Sequence, residues 1–216
     1  SMRLFFGFSI AILLAFTTAA SAATEGVPKD GILSFDIVRN GSAIGTHTYR
    51  FDQYDGRTEV RIKTEIDYRL LLIPIYRFEH ESHEVWENGR LSLLESNTNE
   101  NGTPVKLEVF RDEDLLMVMG EDGELHVDRE IIPASLWNRM MLERNETLTT
   151  ISGNLKRFEV TYVGQEDVKI RGTMSPAQHF RLSGEFERDL WYDANDILVR
   201  VQFEASDGST VAYVLK

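Results

Sequence analysis

The sequence predicts a mainly β protein: a long antiparallel meander curled into a half-barrel or barrel-like sheet around one short central helix, with a two-layer β-sandwich as the alternative. Three observations predict it. Turn dipeptides recur at short intervals, as Asn40-Gly41, Asp55-Gly56, Asn88-Gly89, Asn101-Gly102, Asp122-Gly123 and Asp207-Gly208, and Asn-Gly and Asp-Gly supply the positive φ angles of tight hairpins. Between them lie runs of strand-favouring residues with a period of two. One short stretch, 132–142, departs from that period and reads as a helix. Around a dozen strands cannot stay a flat open sheet; they must curl, close or fold into two layers.

Taken in order, the chain begins with an address. Met2-Arg3 is a short positive start, residues 4–16 are apolar apart from Gly7 and Ser9, and 17–23 are small residues containing Ala20-Ser21-Ala22. That is the order of a secretory signal peptide cleaved after Ala22. Residues 1–22 are therefore read as a signal peptide, with Ser1 a cloning scar, and 23–216 as a single β-rich domain of the periplasm or the secreted space. The apolar run is short of the ~20 residues needed to span a bilayer, and no later stretch is long and apolar enough to do so. There is no Cys, so the core must hold the fold without a disulfide in an oxidising compartment. A formal net charge of −12 argues against nucleic acid, whose phosphates need a basic patch, and against anionic lipid surfaces.

Residues 59–68 are the clearest strand. Val60, Ile62, Thr64, Ile66 and Tyr68 face one way, and Glu59, Arg61, Lys63, Glu65 and Asp67 the other, the pattern of an antiparallel sheet with one covered face. Residues 115–119 are apolar on both faces, which predicts a strand covered twice. For the central helix, Ser135 is the expected N-cap. Leu136, Met140 and Met141 form one side of the helix, and Pro133 ends the preceding strand.

Chemistry is sought on residues 75–86. Alternation puts Arg77, Glu79, Glu81 and His83 on a solvated face and Tyr76, Phe78, His80, Ser82, Glu84 and Trp86 on the face that turns inward. An unpaired buried carboxylate or imidazole is costly, so His80, Ser82 and Glu84 need partners, water or a ligand. Alternate residues of a strand lie ~6.6 Å apart, too far for the contacts of a hydrolytic triad. The next strand adds Asn97 and Asn99, which share a face. Trp137 and Asn138, beside the predicted N-cap, would point at the same cavity if the helix were a lid. His47, His80, His83, His126 and His179 are scattered without a paired metal spacing; neither a metal nor a cofactor is expected.

The motifs H-x-S-x-E-x-W at 80–86, Asn88-Gly89-Arg90-Leu91, Asn97-Thr98-Asn99-Glu100-Asn101-Gly102, Pro133-Ala134-Ser135-Leu136-Trp137-Asn138, Asp189-Leu190-Trp191-Tyr192-Asp193 and Leu198-Val199-Arg200 occur in that order. Together they resemble a family of secreted proteobacterial proteins known only as a domain of unknown function. At fold level, a curled sheet around a helix is similar to the half-barrel of periplasmic lipoprotein carriers. That likeness implies an apolar concavity for acyl chains, from which the polar trio His80, Ser82 and Glu84 departs.

Three functions remain open. The first is a periplasmic binding or carrier protein with an amphiphilic or hydrophobic small molecule in the concave face, which requires a cavity beside Trp86. The second is a non-enzymatic envelope scaffold or assembly factor with an envelope protein as partner, which requires an exposed apolar patch or free strand edge. The third is a hydrolase using His80 and Glu84, which requires both to converge on an open cleft.

Overall fold

A computed structural model describes residues 26–216, so the predicted signal peptide lies outside the described residues. A first meander runs through β1 (Ile32–Arg39), β2 (Ser42–Tyr54), β3 (Arg57–Leu70), β4 (Ile73–Glu87), β5 (Arg90–Glu100), β6 (Thr103–Asp112), β7 (Leu115–Gly120) and β8 (Gly123–Asp128). A short inner segment follows, with β9 (Ile132–Pro133), one 3-10 turn (Arg139–Glu143) and β10 (Glu146–Leu148). A second meander then comprises β11 (Leu155–Ile170), β12 (Thr173–Gly184), β13 (Arg188–Tyr192), β14 (Leu198–Glu204) and β15 (Thr210–Leu215).

β1 pairs with β15, so the two meanders form one fifteen-stranded sheet in the order β8-β7-β6-β5-β4-β3-β2-β1-β15-β14-β13-β12-β11-β10-β9. The pairings are antiparallel except that of β9 with β10. The edges β8 and β9 are consecutive in the chain yet do not pair. The result is an open barrel-like sheet; the sandwich is not formed. Pro133 sits in the edge strand, where its missing N–H costs no ladder bond.

Residues 131–154 plug the concavity. Leu136, Trp137, Met141 and Leu148 are buried in one core with residues of both meanders. The plug leaves across β6 and β7 at Gly153, whose φ is +74°. A side chain there would collide with Leu107 and Val118. At Asn40, Asp55, Asn88 and Asn101 the predicted Asn/Asp-Gly turns have positive φ at both central residues, as type I′ hairpins require.

Two expectations fail. The plug holds no α-helix from Ser135: the only helical turn is 3-10, begins at Arg139 and is capped by Asn138, whose Oδ1 accepts from Met140 N at 3.1 Å. Leu136 has φ +72°, a left-handed conformation that ends any helix beginning before it. The carbonyls of Ser135 and Leu136 accept the hydroxyls of Tyr49 and Tyr192 at 2.7 and 2.6 Å instead of helical amides. Met140 is exposed while Met141 is buried, so the expected stripe is split. Second, β7 is covered once only. Leu116 and Val118 are buried, but Leu115 and Met119 face solvent, because the plug fills just the concave side.

Candidate functional site

Strand register turns the inward residues of β2 to β5 into rows across the concave face. Nearest the β3–β4 turn are Tyr68 opposite Tyr76 and Ile66 opposite Phe78. Next comes a polar row, His47, Thr64, His80 and Thr98. It is followed by Tyr49, Ile62, Ser82 and Ser96, and then by Phe51, Val60, Glu84 and Leu94. Burial deepens along the rows. Tyr76 and Phe78 are half-buried, His80 is 5% exposed, and Glu84 is fully buried.

Each polar group has its own solution. His47 Nδ1 lies 2.7 Å from Thr64 Oγ1, and His80 Nδ1 2.7 Å from Thr98 Oγ1. Hydroxyls satisfy a neutral imidazole but do not offset its charge. Burial therefore presses the His80 pKa down to about 4. Burial, with the second histidine nearby, presses His47 down to about 3. Both rings are neutral at pH 7.

Glu84 is where sheet and plug lock. Ser135 Oγ donates to its Oε1 at 2.8 Å and Trp137 Nε1 donates at 3.1 Å. Burial pushes the carboxyl up to about 7, against the opposing pull of these donors. Trp86 Nε1 lies close enough to add to that pull without meeting hydrogen-bond geometry of its own. The Trp137 ring stands edge-on to Trp86 and Phe51 at 5.5 and 5.4 Å.

A cavity of about 120 Å³ lies between the His80 and Ser82 rows, the plug, and the second meander, which contributes Arg188 and Tyr213. The Ser82 hydroxyl is buried with no hydrogen-bond partner. The Arg188 guanidinium stacks over Phe186 and Phe203 at 4.6 and 4.2 Å and makes no ion pair with a carboxylate among the described residues. Its Nη1 donates to the Glu187 carbonyl at 2.6 Å and burial lowers its pKa, so its charge has a backbone partner but no anionic one. Tyr76, Phe78 and His80 stack in sequence at 6.3 and 6.2 Å, forming an aromatic rail from the half-open rim down to the cavity.

The predicted site residues thus divide. Tyr76, Phe78, His80, Ser82, Glu84 and Trp86 share the inward face as expected, but only Phe78, His80 and Ser82 among them line the cavity. The cavity required beside Trp86 is not there, because Trp137 fills the position against it; the space that exists lies higher up the strand, next to Ser82. Asn97 and Asn99 face outward. They pair with Glu81 and Glu79, so their neighbours Ser96 and Thr98 hold the inner positions; Asn99 Oδ1 accepts from Gly102 N in the turn. Trp137 is wholly buried and is a pin, not a lid. Asn138 caps the 3-10 turn. His80 and Glu84 occupy different rows and bond different partners, and only His80 lines the cavity, so the two do not converge on it as a hydrolase would need. Sequence reasoning missed His47, Thr64, Thr98 and Arg188. His47 had a readable signal, its alternation with Tyr49 and Phe51, whereas Arg188 had none. Among the described residues, no group of three or more His, Asp or Glu could hold a metal ion, and no helix is long and apolar enough to cross a membrane.

Fold and site together define an open β-barrel-like protein with a plugged, partly polar concavity. Residues 35–216 match the family described as Domain of unknown function (DUF6134), and the chain belongs to it. Among solved structures it is similar to the β-barrel-like protein of Domain of Unknown Function DUF1849 from Brucella abortus. The two share 8% sequence identity at a TM-score of 0.61, over 86% of this chain and 94% of that one. At such identity the likeness concerns the fold alone. No curated protein matches the chain in sequence.

Proposed function

We propose that this protein is a periplasmic binding or carrier protein that holds the compact polar head of an anionic amphiphile in the cavity between His80, Ser82 and Arg188, with the tail along Phe78 and Tyr76. The observation that carries this reading is a single cavity combining an unpartnered buried hydroxyl on Ser82 with a partly buried arginine lacking a carboxylate. A carboxylate or phosphate head would satisfy both, in the charge-assisted manner that favours arginine. Neutral His47 and His80 border the same space and can donate without adding charge. The volume suits a head group or a few waters, at ~30 Å³ each, and falls below the ~300 Å³ of pockets that engulf a whole drug-sized ligand. The tail therefore lies on the aromatic rail outside the cavity. The periplasmic setting rests on the order of residues 2–23.

The test is native mass spectrometry of protein purified from the periplasm without denaturation, followed by organic extraction. A co-purifying amphiphile that is lost in Arg188→Leu, with Tm retained, is the expected result. Apo protein whose Tm does not move with fatty acids or lysophospholipids would overturn the reading. An envelope scaffold acting through its surface is the second reading; it is favoured by the exposed aliphatic turn between β3 and β4.

A further inference from the structure

Hairpin β3–β4 outruns both of its neighbours. β2 pairs with β3 no further than Ile66, and β5 pairs with β4 no further than Phe78. Four more rungs join β3 and β4 beyond that point: Asp67 with Arg77, Tyr68 with Tyr76, Arg69 with Pro74, and Leu70 with Ile73. The first two rungs still touch neighbouring turns, Arg77 through Asn101 and Tyr68 through Arg39, so the last two rungs, ~7 Å at 3.3 Å per residue, and the turn beyond them stand clear of the sheet. The end of this finger is aliphatic. Leu71 and Leu72 are 89% and 88% exposed, and Leu70, Ile73 and Ile75 are at least half exposed.

The turn holds a left-handed residue, as the turns at Glu113 and Arg171 also do, but here that residue is an exposed leucine. Leu71 has φ +58°, a conformation that costs a residue with a Cβ and that glycine adopts freely. Two other hairpins at this end, whose turns touch the finger or its neighbours through Asn101 and Arg39, use Asn101-Gly102 and Asn40-Gly41. An Asn-Gly pair here would make the turn without strain or exposed aliphatics. Strain kept together with four contiguous exposed apolar side chains points to a surface that is used.

The collar says what kind of surface. Tyr68 and Tyr76 lie opposite each other one rung below Arg69, and Arg39 holds the Tyr68 ring at 4.7 Å. Arg69 and Arg77 are each more than half exposed and pair with Asp67 and Glu79. Such exposed pairs hold weakly, so both guanidinium groups can exchange a carboxylate for a phosphate. Residues 67–79 carry Arg69 and Arg77 against Asp67 and Glu79, a locally neutral segment on a chain of −12. The finger sets its tip about one Debye length from the body, ~8 Å at physiological salt. The tip can thus reach a surface while the charge of the acidic body is partly screened. An aliphatic tip above a belt of tyrosine and arginine is the order of a bilayer interface, acyl region first and head groups second. A second copy of this chain fits less well, because two bodies of −12 repel.

We propose that the β3–β4 finger docks the protein on a phospholipid bilayer, with Leu71 and Leu72 in the acyl region and Arg69 and Arg77 on lipid phosphates. This holds whether or not the cavity carries a cargo. The test is flotation of protein recovered in soluble form from the periplasm, using vesicles of phosphatidylethanolamine with a minority of phosphatidylglycerol. Wild type should float. The double variant Leu71→Asp, Leu72→Asp should bind about a hundredfold less, since each leucine loses the transfer of a full side chain. Its Tm should hold, because neither residue is packed. Arg69→Gln with Arg77→Gln should bind a few-fold less and lose its response to phosphatidylglycerol. Three results would overturn the proposal: wild type that does not float; flotation that survives Leu71→Asp, Leu72→Asp; or self-association that this variant abolishes while vesicle binding is absent.

Discussion

His80 and His179 sit on opposite faces of the same sheet, and both are nearly buried. His80, with His47 beside it, meets hydroxyls. His179, on the face of β12 opposite Phe180 and Leu182, meets carboxylates: Glu166 Oε1 lies 2.6 Å from Nδ1 and Asp189 Oδ1 2.6 Å from Nε2. Its ring stacks on Trp191 at 4.0 Å, and Trp191 Nε1 donates to Glu166. Equal burial of one residue type therefore gives two electrostatic environments. Inside, the hydroxyl partners leave the histidines uncompensated and neutral. Outside, the hydrogen bond from His179 holds the Glu166 carboxyl below its ordinary range. Partners on neighbouring strands, not depth, decide which kind of histidine a position makes.

The largest way to break this contrast is to open the inner region. Trp137→Ala removes a fully buried ring between Trp86 and Phe51 and one of the donors to Glu84. It should cost about 3–5 kcal/mol in urea denaturation. Histidine NMR of the variant should show His47 and His80 titrating closer to 6.5, with the His179 resonances unmoved. If His179 shifts equally, the two regions are not separate.

Next in size is the pH profile. Glu84 titrates near 4.5 in the unfolded chain and at about 7 in the folded one. The folded state therefore binds the extra proton between those values, and stability falls as pH rises through that window, with the full cost present above pH 7. The inner histidines act in the opposite sense. Their unfolded rings take protons near 6.5, while the folded rings resist to about 4 and 3, so stability is lost as pH falls below 6.5. Two protons against one make stability climb with pH from 4.5 to 6.5 and decline beyond it. Glu84→Gln, whose carbonyl oxygen can still accept from Ser135 and Trp137, should remove the decline. A gain of about 3 kcal/mol at pH 8 and little at pH 5 is expected from the size of the shift, read as Tm against pH. An unchanged alkaline limb would show that Glu84 is not the buried acid.

The inner rows were largely legible in the sequence, because period-two alternation on residues 75–86 assigns faces without knowing what lies opposite. What depends on register was not. Asn97 and Asn99 share a face with each other, but only the pairing with Glu81 and Glu79 says that this face is outward. The plug defeated local reasoning for a similar reason. Ser135 and Leu136 look like a helix start until hydroxyls from Tyr49 and Tyr192, 86 and 56 residues away, take their carbonyls. Arg188 joins the cavity only through the pairing of β1 with β15, which brings the second meander against the first, and no motif announces that closure.

The smallest effect sharpens the comparison from the outer side. Glu166 is about two-fifths exposed, so water and salt screen its bond to His179. Glu166→Gln should cost less than about 1 kcal/mol at pH 7, the range of solvent-accessible ion pairs, and less again in high salt. The sign with pH is opposite to that of Glu84. A carboxyl whose folded pKa is depressed contributes stability above its unfolded value of 4.5 and loses it as pH falls further. The gap between wild type and Glu166→Gln should accordingly narrow as pH falls below 4.5, where the inner histidines are already weakening the fold. A gap that does not narrow there would mean that the bond from His179 does not hold the Glu166 carboxyl down. The partner rule drawn from the two histidines would then fail on its outer member.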